Sequence, residues 1–120
     1  MSASYKITLS IVAKETGPVS AALPPHVMVP GQPPQDFGYM LQPKLVATHS
    51  FSDAPAIDVL LVPGGMGPMA LEQNKDTSIE AFLRNRFDKL DYLLSVCTGS
   101  AILASSGLLD GHRATTNKAL

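Results

Sequence analysis

One cysteine, no tryptophan and no long apolar run: the absences in this 120-residue chain narrow its class before any motif is found. A single cysteine cannot close an internal disulfide, which excludes a disulfide-stapled secreted fold and suits a reducing compartment. No stretch approaches the roughly 18 apolar residues of a membrane span. The N-terminus lacks the apolar core of a signal peptide, so a soluble, cytoplasmic protein is expected. Nine basic and ten acidic residues give a formal net charge of −1. With no basic cluster, there is no electrostatic case for nucleic acid or an anionic membrane as partner. His26 and His49 have no neighbours at metal-ligand spacing, so no metal site is expected. The length suits one domain, able to bury roughly two-thirds of its unfolded surface.

What is present centres on Asp91-Tyr-Leu-Leu-Ser-Val-Cys97-Thr-Gly-Ser100-Ala-Ile-Leu-Ala-Ser-Ser-Gly107. Tyr92, Leu93, Leu94 and Val96 form a short apolar run, the pattern of a parallel strand covered on both faces. From Gly99 the apolar residues Ala101, Ile102, Leu103, Ala104 and Leu108 fall at helical spacing, and Gly107 is a stop signal. Cys97 therefore sits at a strand-to-helix bend. Backbone N–H groups at a helix start favour negative charge. Cysteines so placed can have pKa values lowered from about 8.5 to between roughly 3.5 and 7.5. Glycine permits the tight turn, and the N–H after the nucleophile can bind a developing oxyanion, the logic of a nucleophile elbow. Two readings of the residue stand side by side: a nucleophile or redox centre, and an inert packing cysteine in an apolar strand.

Along the rest of the chain, residues 5–13 alternate apolar Tyr5, Ile7, Leu9 and Ile11 with polar Lys6, Thr8 and Ser10, predicting a strand with one exposed face. Residues 14–18 read as a turn. Between residues 23 and 43 lie six prolines, at 24, 25, 30, 33, 34 and 43, so neither a helix nor a central strand can persist. Residues 24–43 are a proline-rich loop insertion. Phe37, Tyr39, Met40 and Leu41 either anchor it to the domain or line a pocket. Residues 44–51 are extended. Residues 57–62 are the clearest buried strand, ended by the glycine-rich loop Pro63-Gly-Gly-Met-Gly-Pro68. A loop at the carboxyl end of a parallel strand is where open α/β folds place ligands. It lacks the Lys-Ser/Thr of a P-loop, so it is not a phosphate fingerprint. Met66, Met69 and Leu71 are core or pocket wall. Thr77-Ser-Ile-Glu80 has the spacing of a capping box, and Ile79, Phe82, Leu83 and Phe87 mark one face of the following helix. Asp110-Gly111 signals a turn before His112, and residues 113–116 open another strand.

Three of these segments, Ile57-Asp-Val-Leu-Leu-Val-Pro-Gly-Gly65, Ser95-Val-Cys-Thr-Gly-Ser100 and Gly107-Leu-Leu-Asp-Gly-His-Arg-Ala-Thr-Thr116, resemble the DJ-1/PfpI (ThiJ) family in order and spacing. The resemblance is to the isocyanide hydratase-like branch, where threonine rather than histidine follows the cysteine. It covers residues 51–118. It implies a flavodoxin-like three-layer α/β/α sandwich of the class I glutamine amidotransferase-like kind. Relative to that pattern the chain is incomplete: it lacks the first strand-helix unit and the C-terminal portion. In the family the first strand supplies an acid that hydrogen-bonds the cysteine, and neither Glu15 nor Asp58 occupies that position. The family often has histidine where this chain has Asn117, and asparagine cannot shuttle protons.

The resemblance implies Cys97 and Thr98 as catalytic residues, with Gly64, Gly65, Thr98 and Gly99 binding the oxyanion or substrate. No metal or cofactor is implied, and relatives commonly dimerise. Two functions follow. One is a cysteine-dependent hydratase, hydrolase or lyase acting on a small electrophile such as an isocyanide, an amide or an α-oxoaldehyde. The other is a truncated, non-catalytic member acting as a redox-sensing or oligomeric module.

Overall fold

The computed structural model describes residues 5–21, 31–33, 41 and 43–118. Their order is β1 (Val12–Ala13), β2 (Gly17–Ser20), β3 (Lys44–Ala47), β4 (His49–Ser50), β5 (Val59–Val62), α1 (Gly67–Gln73), α2 (Ser78–Arg86), a 3-10 turn (Phe87–Lys89), β6 (Tyr92–Ser95) and α3 (Gly99–Ser105). This is a mixed α/β arrangement in which three two-stranded sheets pair β1 with β4 and β5 with β6 in parallel, and β2 with β3 antiparallel.

The core forms where β5 and β6 meet the helices. In the register Val59↔Tyr92, Leu60↔Leu93, Leu61↔Leu94 and Val62↔Ser95, the two-residue alternation of a strand sends Leu60, Val62 and Leu93 inward. They pack against Leu83 of α2 and Ile102 and Leu103 of α3, with Ile79, Leu108 and Leu109 around them. Leu83 is 1% exposed. Burying such a side chain contributes roughly 1.5–3 kcal/mol. The opposite face is uncovered: Val59, Leu61, Tyr92 and Leu94 are 46–66% exposed. The expectation that the strand of residues 92–96 is covered on both faces is thereby corrected, and the expected buried strand over residues 57–62 is buried on one face only. Their composition suits two-sided cover, and the described helices supply one side.

The strand expected over residues 5–13 is reduced to Val12–Ala13. Residues 5–10 have no strand pairing, and Tyr5, Ile7 and Leu9 are more than 80% exposed, whereas the Ile11 carbonyl accepts from the Thr48 and His49 N–H groups. Alternation promises a strand only where a neighbouring strand accepts its backbone bonds. Residues 17–20, expected within or after a turn, form β2 instead. Pro18 is tolerated there because a two-stranded ribbon has edges. The proline-rich excursion leaves and returns at one point, where the Ala21 N–H donates to the Pro43 carbonyl at 2.9 Å. Of the side chains expected to anchor it, Phe37, Tyr39 and Met40 lie outside the described residues, as does His26. Leu41 is 94% exposed and anchors nothing.

Two contacts dock the loop after β4 onto α2. Phe51 stacks on Phe82 with centroids 4.8 Å apart. Arg86 reaches the carbonyls of Ala54 (2.8 Å) and Pro55 (3.0 Å) while its guanidinium lies over the Phe82 ring. The expected capping box is replaced. Thr77 makes no side-chain cap bond, and the Ser78 N–H donates to Asp76 Oδ1 at 3.0 Å. Residues 113–116, expected as a strand, form no strand or helix. Helix α1, which no periodicity announced, begins in the glycine-rich loop with Pro68 in its first turn, where a missing N–H is harmless.

Candidate active site

Two loops at the carboxyl ends of β5 and β6 meet around Cys97. Strand pairing runs one residue past β6, the Val96 N–H donating to the Val62 carbonyl at 3.0 Å. The chain then turns within a single residue: Cys97 has φ 51°, the left-handed region, and α3 starts at Gly99. A side chain in that region costs of order 1–3 kcal/mol and persists where the surroundings impose it. Here they do. A Cβ on Gly99 would collide with the carbonyl of Val62, and it would lie 2.9 Å from that of Pro63. A Cβ on Gly64 would lie 2.8 Å from the Val96 carbonyl and 2.9 Å from both the Cys97 Cβ and the Thr98 nitrogen. Each loop thus presents a bare glycine to the other, the close approach that only glycine permits.

Side chains complete the clamp. The Gly65 N–H donates to Thr98 Oγ1 at 2.9 Å, and the Thr98 hydroxyl lies 3.0 Å from the Gly65 carbonyl. Ser100 Oγ donates to the Cys97 carbonyl at 2.9 Å and lies 2.5 Å from Thr116 Oγ1, which is itself 3.4 Å from that carbonyl. Asn117 Nδ2 lies 3.6 Å from Cys97 Sγ. The sulfur-bearing residue is exposed. Among the described residues, no three of His, Cys, Asp or Glu are grouped so as to hold a metal ion.

The expectation that free helix amides surround the sulfur is corrected by the first turn of α3. The Gly99 N–H donates to the Val96 carbonyl (2.9 Å), that of Ser100 to Cys97 (3.3 Å) and that of Ala101 to Thr98 (3.0 Å). A turn this tight closes 3-10-type bonds and satisfies the donors that a longer helix leaves open. Of the expected site residues, Cys97, Thr98, Gly64, Gly65 and Gly99 are all brought together, but Gly65 N–H and the Thr98 hydroxyl are bonded to each other. Asp58 sits at the far end of the strand pair, its carbonyl accepting from the Asp91 and Tyr92 N–H groups. A groove of about 390 Å³ is lined by Ala13, Lys14, Glu15, Thr16, Pro18, Val19 and Ser20, and it takes in neither Cys97 nor the glycine loop.

The sequence model of the DJ-1/PfpI family matches residues 34–120. The chain belongs to the DJ-1/PfpI family. Among curated proteins, the isonitrile hydratase of Pseudomonas putida is 43% identical over 74 residues, which cover 62% of this chain and 32% of that protein. The chain therefore spans about a third of the length of that relative. Within this DJ-1/PfpI chain, residue-by-residue reasoning missed two contributors, Ser100 and Thr116, and reached Asn117 only as the position where the family often has histidine. Ser100 reads as one more small helix residue. Thr116 and Asn117 lie 19 and 20 positions beyond Cys97, and no local pattern announces that they return to it. No helix among the described residues is long and apolar enough to cross a membrane.

Proposed function

We propose that this chain carries the nucleophile of a cysteine-dependent hydratase, hydrolase or lyase acting on a small electrophile, with an isocyanide as the first candidate. The observation that carries the reading is Cys97 in a left-handed bend, exposed, with two glycines packed against its flanks. A backbone held in that strained form is a mark of functional sites. The isonitrile hydratase likeness supplies the substrate class.

The reaction balances without a cofactor. Cys97 Sγ bonds to the terminal isocyanide carbon while that carbon takes up one proton, giving a thioimidate. Water adds to the same carbon, the C–S bond breaks, and the sulfur recovers its proton as a formamide leaves. The Thr98 N–H stands beside the sulfur's own residue, where it can steady charge on the intermediate. The Thr98 hydroxyl and Gly64-Gly65 act by holding the two loops together. When a substrate anion reaches Gly65, the hydroxyl can rotate and release that N–H. We propose further that the complete domain is a flavodoxin-like three-layer sandwich, for which β5 and β6 are adjacent central strands. The test is turnover by the purified chain and by Cys97→Ser of a panel of isocyanides to formamides, amides to acid and amine, and α-oxoaldehydes to α-hydroxy acids. Loss of turnover in the variant is expected, and undiminished turnover refutes the mechanism.

One observation favours a second reading, an oligomeric, non-catalytic module: the uncovered apolar face of Val59, Leu61, Tyr92 and Leu94. Faces of this kind mark association surfaces. Sedimentation of the wild-type chain and of Leu61→Lys distinguishes it. A dimer abolished by the charge, in a protein with no turnover, is the signature of this alternative.

A further inference from the structure

We infer that the Asn117 carboxamide is the hydrogen-bond donor that aims the Cys97 sulfur and steadies the negative charge it carries in attack. The inference rests on the reading of Cys97 as a nucleophile and adds to it a group that reading does not contain.

An attacking sulfur in a polar site needs a donor, and apart from the Thr98 N–H the donors expected from the helix start and the glycine loop are engaged elsewhere. The N–H groups of Gly99, Ser100 and Ala101 bond to the carbonyls of Val96, Cys97 and Thr98, and that of Gly65 bonds to Thr98 Oγ1. Asn117 Nδ2, at 3.6 Å, is aimed at the sulfur. Sulfur is a weak acceptor as a thiol, but a bond to its charged form is stronger, so the contact favours the charge that attack requires.

The placement of the carboxamide is not left to one contact. Its chain neighbour Thr116 reaches Ser100 Oγ and the carbonyl of Cys97 itself. Donor and acceptor are thus fastened to the same peptide group and keep their geometry if the loops shift together. This gives residues 113–117 a function although they form no sheet.

A carboxamide donates without exchanging its proton. Asn117 therefore supports charge on sulfur and takes no part in proton transfer. The proton that joins the substrate carbon comes from water. That suits an addition such as hydration better than cleavage of an amide, whose leaving amine needs an acid.

The experiment is the alkylation rate of Cys97 by iodoacetamide at one fixed pH, which requires no turnover. Wild type is compared with a cysteine peptide and with Asn117→Ala, Asn117→Asp and Asn117→His, folding being checked by circular dichroism. Wild type is expected to exceed the peptide. Asn117→Ala should fall about tenfold, the scale of a lost bond to a charged group. Asn117→Asp, of the same shape but with an acceptor in place of the donor, should fall further. Asn117→His, which retains an N–H, should stay within about threefold of wild type by the same measure. Equal rates for wild type, Asn117→Ala and Asn117→Asp overturn the inference while leaving the nucleophile intact. A wild-type rate equal to that of the peptide overturns both.

Discussion

Gly64 and Cys97 face each other across the site so closely that a methyl group on the glycine would sit 2.9 Å from the cysteine Cβ. The loop after β5 is therefore a mould for the bend after β6, and the left-handed cysteine is held from outside as well as by its own turn.

Gly64→Ala should push these loops apart. Its new carbon also meets the Val96 carbonyl and the Thr98 nitrogen, which are backbone and cannot rotate away. Overpacking of this kind costs about 1–3 kcal/mol. Urea unfolding should show that loss, together with a changed rate of Cys97 alkylation. An unaltered midpoint would show that the mould is loose.

The strain at Cys97 can be read directly by two substitutions. At φ 51°, glycine is at ease where alanine is not. Cys97→Gly should be more stable than Cys97→Ala by about 1 kcal/mol, despite the greater freedom of glycine in the unfolded chain. Equal unfolding midpoints for the pair would mean the bend carries no strain.

Arg86 ties the loop after β4 to α2 through the carbonyls of Ala54 and Pro55 and through its stacking on Phe82. Arg86→Ala should destabilise by about 1–3 kcal/mol, the range for losing charged hydrogen bonds. Arg86→Lys should recover little of this, because an ammonium lacks the planar fork that reaches both carbonyls. Chemical unfolding of the two variants side by side checks the order.

Asp76 predicts a pH dependence. Bonds from the Ser78 side chain and N–H, with Lys14 at 3.1 Å, push its carboxyl down from 3.8 to about 2. A folded-state value below the unfolded one means the carboxylate binds protons less readily when folded, so its contribution is full above the unfolded value and fades as pH falls through the folded one. The melting-temperature gap between wild type and Asp76→Asn should therefore be present at pH 6 and shrink between about pH 4 and pH 2. A gap that persists unchanged at pH 2 would assign the effect to shape rather than charge.

The site and the surrounding fold were legible to different degrees. Cys97 at a strand-to-helix bend was readable because every signal lies within ten residues: an apolar run, two small residues, a glycine and a helical repeat. Gly64 and Gly65 were readable as the end of a strand. Helix α2 was readable from Ile79, Phe82 and Leu83. Its capping box did not form: Thr77 makes no side-chain cap bond, and Asp76 Oδ1, one residue earlier, accepts from the Ser78 N–H.

What local order determined, then, was the bend, its cysteine and the glycines that allow it, since conformational preference acts between near neighbours. Tertiary structure alone decided that Asn117 comes to rest against the sulfur, that Thr98 and Gly65 bond to each other, and that β5 and β6 are covered on one face. It also decided that residues 5–10 form no strand despite a strand's alternation. Each of these depends on which distant backbone or side chain is at hand to accept a bond or bury a surface, and an apolar residue carries no mark of who its neighbour will be.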